Sequence, residues 1–282
     1  MRMKAGWSFK WLLYAAAGLI CLYLLSPLLM IAVTSISTGS SSKFPPAGLS
    51  LEWYQKLSEQ TQFLEAFRNS MIASSGATLL ALFCGTLAAL AIVQYPFPGR
   101  GLLRALFMSP MVVPKITLGI AYLILFSRMH IAGGLFALIL GEAVIVFPFV
   151  LSIIGGALAN LSPVHREAAA DLGASPVRIF FTVTLPQLRL SLLLAGSISF
   201  VFTFDQVETA LLILRQGSYT LPIQLFLYME KWQDPTIAVV SVVLIAFALA
   251  LFFVIKLVVR SAPGVATLLG ERPKKKRLRR PM

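Results

Sequence analysis

Four ionisable residues, Lys115, Glu142, Asp205 and Glu208, stand inside stretches of sequence that are otherwise strongly apolar. A charge left facing lipid costs at least ~2.5 kcal/mol, so residues of this kind line a cavity, pair with one another, or meet a charged ligand. Asp205 and Glu208 are three apart and on an unbroken helix would share a face. Counting ~1.5 Å per residue from the ends of the apolar stretches puts all four at overlapping depths. Two readings follow from the residues. The carboxylates would line a pathway for a cationic solute, or Lys115 would neutralise Glu142 or Asp205 as a structural pair or contact a partner subunit. Covalent, metal and nucleotide chemistry have no matching pattern. His130 and His165 are the only histidines and fall on opposite sides of the expected membrane, so no zinc-like spacing exists. Cys21 and Cys84 lie within apolar runs and read as neither disulfide halves nor metal ligands. There is no Gly-x-Ser-x-Gly elbow and not even a Gly-Lys dipeptide from which to build a phosphate-binding loop. The chain therefore shows no catalytic site of its own.

A second group of residues carries charge outside the apolar runs. Asn160 to Leu188, NLSPVHREAAADLGASPVRIFFTVTLPQL, is a polar interruption built as two short helices. Ser162-Pro163 and Ser175-Pro176 are helix starts, because serine caps orphan amides and proline suits the first helical position. Glu167 to Leu172 is alanine-rich and favours helix, Gly173 supplies the stop, and Pro186 is expected to end the second piece. Glu167 and Asp171, four apart, project from one face. Ala168, Ala169 and Ala170 let that helix approach another surface closely.

The elements that must position these residues follow from composition. Of 282 residues 58% are hydrophobic and only 12% charged, and mean hydropathy is +0.84, which excludes an ordinary soluble domain. Six runs can cross a hydrocarbon core of about 30 Å: Leu12–Val33, Met71–Val93, Ala105–Phe126, Leu135–Leu158, Leu190–Leu214 and Ile237–Ile255. None alternates apolar with polar as a membrane barrel would, so an all-α protein is expected. With both termini cytoplasmic, the inner segments hold Arg2, Lys4, Lys10, Arg100, Arg104, Arg166, Arg178, Arg189 and the basic tail from Arg260. The outer loops hold only Lys43, Lys56, Arg68, Arg128, Arg215 and Lys231, which sets N-in, C-in. The net charge of +13 is explained largely by this asymmetry and calls for no nucleic acid. The run from Pro273 to Arg280 suits anionic lipid headgroups. The first apolar run has a basic start but is too long for a cleaved signal peptide and lacks a small-residue cleavage site. The chain reads as a cytoplasmic N-terminus (1–11), a six-helix domain (12–259) and a basic tail (260–282).

Outside the membrane, residues 35–70 include an amphipathic piece around Leu51–Phe67, with Phe63, Ala66 and Phe67 at helical spacing, expected to lie at the membrane surface. Trp53 and Tyr54 fit an interfacial anchor. Residues 215–235 form a second external segment, of a kind that gates a path or faces a receptor. Gly85, Gly119, Gly155, Gly156 and Gly196 are expected where helices pack closely.

EAAADLGASPVRIFFTVTLP resembles the EAA loop of ABC-importer permeases, the cytoplasmic surface that docks on the ATPase subunit. Phe44-Pro45-Pro46 with Leu49 to Tyr54, Pro110-Met111-Val112-Val113-Pro114 with Gly119, and Asp234-Pro235-Thr236 resemble the spermidine/putrescine importer group, in the same order along the chain. The resemblance covers nearly everything after the first apolar run. It implies a type I ABC-importer permease fold, with five core helices and an extra first helix packing on its partner, in the bacterial cytoplasmic membrane. It also implies docking through Glu167, Ala168, Ala169, Asp171, Gly173 and Pro186, while the pathway expected near Asp205, Glu208, Glu142 and Lys115 rests on the charges themselves. The expected partners are a homologous permease, two ATPase subunits that use ATP and Mg, an external or lipid-anchored solute-binding protein, and membrane lipid. The expected solute is a small organic nitrogen compound, polyamine foremost, with an aminoalkylphosphonate, an opine or an amino-acid-like solute as the alternative. One departure is that Lys115 stands where polyamine-type permeases commonly carry glutamate. A non-transporting scaffold or an integral-membrane enzyme is the rival class. The docking loop argues against the first and the missing catalytic cluster against the second.

Overall fold

The computed structural model of the chain describes residues 7–38, 48–232 and 234–261. The Phe44-Pro45-Pro46 motif, Lys43, Arg2, Lys4 and the basic tail beyond residue 261 lie outside the described residues. Helices make up the architecture: α1 (Trp7–Ser35), α2 (Glu52–Glu59), α3 (Thr61–Gln94), α4 (Arg100–Met108), α5 (Lys115–Arg128), α6 (Leu135–Ala159), α7 (Val164–Asp171), α8 (Pro176–Ile179), α9 (Leu185–Phe204), α10 (Glu208–Ile213), α11 (Leu221–Lys231) and α12 (Thr236–Ser261). Among the described residues five helices are long and apolar enough to cross a membrane, and α4 with α5 makes a sixth when the bent pair is counted as one span. The all-α, six-span expectation holds.

The chain divides into two compact units, one from Met1–Phe63 and Leu225–Ala250, the other from Leu64–Gln224 and Leu251–Met282. In the described part of the first, α1 exposes its apolar side chains from Trp11 to Met30. After α1, Ser37 pairs with Leu49 in an isolated antiparallel bridge, and the Ser35 and Tyr54 hydroxyls meet at 3.0 Å. Trp53 is buried, with the Lys56 ammonium 4.3 Å from its ring and Lys56 paired to Glu52 at 2.6 Å, so it is a packing residue here. The single surface helix expected over Leu51–Phe67 is split at Gln60. Phe63 and Ala66 instead form the buried first turns of α3. The Asp234-Pro235-Thr236 motif starts α12: Asp234 Oδ1 accepts from the Thr236 amide at 2.9 Å and Oδ2 from the Tyr228 hydroxyl at 2.7 Å. Burial pushes the Tyr228 phenol up.

In the second unit, α6 is apolar almost all round, Glu142 apart, and is its packed centre, burying residues from Ala137 to Leu158. Small residues on α3 (Ala77, Ala81, Ala89) and Leu188 and Ala195 on α9 join the same core. Gly85 is required there: a Cβ would lie 2.7 Å from Val150 Cγ1. Gly119 and Gly196 are also close-approach points, but Gly155 meets only one atom at 3.9 Å and Gly156 none, which corrects the expectation for that pair.

Two expected spans are broken. Ala105–Phe126 is not one helix: α4 runs into a 3-10 turn at Ser109–Met111, and α5 restarts at Lys115 after a bend of 103°. Pro114 supplies no amide and holds Val113 away from helical geometry, which dictates the break. Leu190–Leu214 is likewise interrupted, because α9 stops at Phe204 and α10 begins at Glu208. Thr203 Oγ1 donates to the Ser199 and Phe200 carbonyls, and Asp205 is the C-cap residue, both choices that compete with helix continuation. The shared helical face expected for Asp205 and Glu208 does not exist.

Pro186 does not end a helix. From Pro176 to Phe204 the chain is one 29-residue rod, and a π turn at Phe180–Thr184 widens it just before the proline. Gln187 Nε2 donates to the Val183 carbonyl and Thr182 Oγ1 to Arg178, so side chains take up part of the disturbed ladder.

Candidate functional site

The loop at 160–188 is built as its residues require. Ser175 Oγ accepts from the Arg178 amide and caps α8. Gly173 has φ +79, its amide donates to Ala170 O at 2.8 Å, and the Ala174 amide donates to Ala169 O at 3.1 Å. This pair of bonds is the left-handed closure that only glycine adopts without strain. The closed helix α7 exposes Glu167, Ala168 and Asp171, leaves Ala169 half-buried, and is flanked by exposed apolar side chains, Leu172 at 88% and Val177 at 67%. Neither carboxylate has an ion-pair partner among the described residues. An acidic, small-residue helix ringed by exposed Leu and Val is a surface prepared to be covered. Beneath it a cavity of about 710 Å³ is lined by Arg166, Ala170, Val177 and Phe181 together with Leu87 and Gln94 of α3. At the other end of α3, Asn69 Nδ2 donates to Tyr219 O and Ser70 Oγ accepts from the Leu221 amide. The loop and the segment leading into α11 thus lie at opposite ends of this helix, as the alternation of inner and outer segments requires.

Three of the four ionisable residues expected within spans, Lys115, Glu142 and Glu208, gather where the start of α5 meets the segment that follows α9. The Lys115 ammonium, on the first residue of α5, donates to Gln206 Oε1 at 2.9 Å, lies 4.0 Å from Glu208 Oε2, and sits 4.5 Å from the Phe202 ring centroid. Gln206 Nε2 donates to the same Glu208 oxygen at 3.0 Å. One residue further on, Thr209 Oγ1 donates to Glu142 Oε1 at 2.6 Å. Glu142 is 1% exposed, and its Oε2 has no hydrogen-bond partner. Gly119 lets α5 and α10 come this close: a Cβ there would be 3.2 Å from the backbone Cα of Thr209. Lys115, Glu208 and Glu142 therefore share one polar locus, but Lys115 is bound to Gln206 and Glu208, whereas Glu142 is held by Thr209. Asp205 is exposed, and its carboxylate has no hydrogen-bond or ion-pair partner among the described residues. Gln206, Phe202 and Thr209 complete the locus and carry no charge that would mark them in the sequence.

Comparison with known proteins fits this architecture. Residues 77–262 match the family model for the binding-protein-dependent transport system inner membrane component, and the chain belongs to that family. It is a permease subunit of an ABC importer. Among its relatives, the putrescine transport system permease protein PotI of Escherichia coli K12 is 28% identical over 76% of this chain and 79% of its own length. The spermidine/putrescine transport system permease protein PotC of Haemophilus influenzae is 27% identical over 84% and 92%. PhnV of Salmonella typhimurium LT2, named for a 2-aminoethylphosphonate transport system, is 28% identical over 84% and 91%. Two solved structures share the fold. A bacterial ABC transporter involved in import of the acidic polysaccharide alginate aligns with TM-score 0.74 at 15% identity, over 91% of this chain and 98% of that one. The MetNI methionine ABC transporter, in an inward-facing conformation, aligns with TM-score 0.58 at 19% identity, over 76% and 99%.

Proposed function

We propose that this chain forms, with a homologous permease, the path by which a polyamine crosses the bacterial cytoplasmic membrane. The observation that carries this reading is the locus of Phe202, Gln206 and Glu208 at the meeting of the two broken spans. An aromatic face, an amide oxygen and a carboxylate are the groups that hold an alkylammonium ion. The names of PotI and PotC support the same solute class. Irregular backbone within a membrane span is tolerated where it lines a cavity, which fits a path running past the breaks at Ser109–Pro114 and Asp205–Val207. Two ATPase subunits, with ATP and Mg, supply the energy by seating α7 and moving α6 and α9, and an external binding protein delivers the solute. Both termini are cytoplasmic in this reading. Uptake of labelled putrescine by the complete transporter in proteoliposomes, dependent on ATP, tests it; absence of uptake of putrescine and spermidine removes the polyamine assignment.

A second solute has one observation in its favour. Lys115 is a cation at the locus, and PhnV is a relative, so a zwitterion with an anionic group would find a partner here. In the same assay, 2-aminoethylphosphonate taken up in place of putrescine would select this alternative.

A further inference from the structure

The three groups that suit a solute ammonium are occupied by an ammonium of the chain itself. We propose that Lys115 is a tethered plug: its side chain fills the ammonium position formed by Phe202, Gln206 and Glu208 at rest, and an incoming alkylammonium solute displaces it. This inference rests on the polyamine reading above and assigns Lys115 the role of competitor for the site, neither solute ligand nor mere structural counter-charge.

The geometry supports occupancy. The Lys115 Nζ donates at 2.9 Å to Gln206 Oε1, faces the Phe202 ring at 4.5 Å, and is 4.0 Å from Glu208 Oε2. Gln206 is 2% exposed, and its amide is fixed at both ends, accepting from Lys115 and donating to Glu208 at 3.0 Å. A buried amide held in one orientation presents its oxygen to a cation whether or not Lys115 is there. The two mobile partners are half open: side-chain exposure is 38% for Lys115 and 53% for Glu208. Where the pair faces a water-filled path, a 4.0 Å contact between two side chains this open is weak and exchangeable, unlike a buried structural salt bridge. Lys115 also stands on the first residue of α5, directly after the Pro114 break, so its long side chain withdraws without disturbing a helix interior. Asp205, exposed next to Gln206 and without an ion-pair partner among the described residues, is at hand to hold the released Lys115 or a second ammonium of the solute.

The test reads the plug directly. The complete transporter, purified through this chain, is treated with a lysine acylating reagent, and Lys115 modification is quantified by mass spectrometry. Phe202→Leu and Glu208→Gln are expected to raise Lys115 modification about two- to fivefold without solute, because each removes one contact to the ammonium. Putrescine is expected to raise it similarly in the wild type, while 1,4-butanediol, of the same length but uncharged, leaves it unchanged. Lys115→Met is expected to bind putrescine several-fold more tightly in calorimetric titration of the complex, and adding Glu208→Gln is expected to cancel the gain. Lys115→Met that binds putrescine more weakly than wild type overturns the plug and makes Lys115 a ligand-positioning residue. Putrescine uptake by the wild type with Lys115 modification unmoved by putrescine overturns displacement while leaving the polyamine reading intact. Failure of any polyamine to be taken up or to bind overturns both.

Discussion

Glu142 is the most demanding residue in the second unit. It is 1% exposed, one oxygen accepts from Thr209 at 2.6 Å, and the other has no partner. Removing the single donor leaves a buried carboxyl wholly unsatisfied, so Thr209→Val is expected to cost about 1–3 kcal/mol, read as a lower thermal midpoint of the purified complex. Glu142→Leu added to Thr209→Val is expected to recover most of that loss, since replacing both partners by apolar groups leaves nothing unpaired. A double variant no more stable than Thr209→Val alone would mean that Glu142 has further work at this position. Glu142, Lys115 and Glu208 were legible in the sequence because a charge in an apolar run is too expensive to be incidental. Gln206, Phe202 and Thr209 were not, because amides, rings and hydroxyls are common in membrane helices and carry no comparable penalty. The charge pairing was misread for the same reason: sequence showed which residues needed partners, and a neutral glutamine turned out to stand between them.

At the scale of elements, the loop at 160–188 and the α5–α10 contact make opposite demands on glycine. Gly173 needs φ +79 and an amide that donates to Ala170, neither of which proline supplies. Gly173→Pro is therefore expected to abolish uptake and recovery of the ATPase in pull-downs while the permease stays in the membrane. Glu167→Ala is expected to weaken both less severely. Normal uptake in both variants would remove the docking role from α7. Gly119 instead needs space: a Cβ would meet Leu212 Cδ1 at 2.8 Å and the Thr209 Cα at 3.2 Å. Gly119→Val is expected to cost about 1–3 kcal/mol and to lower the yield of assembled complex, with Gly156→Ala, which meets nothing within 4 Å, as the tolerated control. The helix starts at Ser-Pro and the stop at Gly173 were readable because capping is local chemistry. The breaks near Pro114 and Asp205 were hidden inside continuous apolar runs, since a hydropathy run records lipid solubility and is blind to backbone direction. Pro186 misled in the other direction, because a π turn and two side-chain bonds let the helix pass through it.

For the whole molecule, hydropathy alone separated membrane from water but could not tell a buried span from an uncovered one. α1 and α6 are both strongly apolar, yet the most apolar stretch of α1 has 0% of its residues buried and that of α6 has 61%. An uncovered apolar helix fits lipid or a partner subunit, as proposed for the paired permease. The basic tail lies outside the described residues, and its run of positive charge suits anionic lipid headgroups. Deleting Pro273–Met282 is expected to leave most transport activity per assembled complex, measured as ATP-dependent uptake normalised to the amount of complex. Loss of turnover with normal assembly would give the tail a regulatory part.

The unbroken rod from Pro176 to Phe204 has a thermodynamic corollary. Its 29 residues span roughly 43 Å at the usual helical rise, with Val177 inside the 160–188 loop near one end and Phe202 against the Lys115 ammonium near the other. If one stiff body carries both sites, any preference the ATPase shows between two positions of the rod is felt as a change in affinity at Phe202. Linkage then works in reverse with the same factor: a cation seated on Phe202 must tighten or loosen the grip of the loop on its ATPase to an equal degree. The permease would thus report the presence of cargo to the motor through the same rod by which the motor moves the cargo.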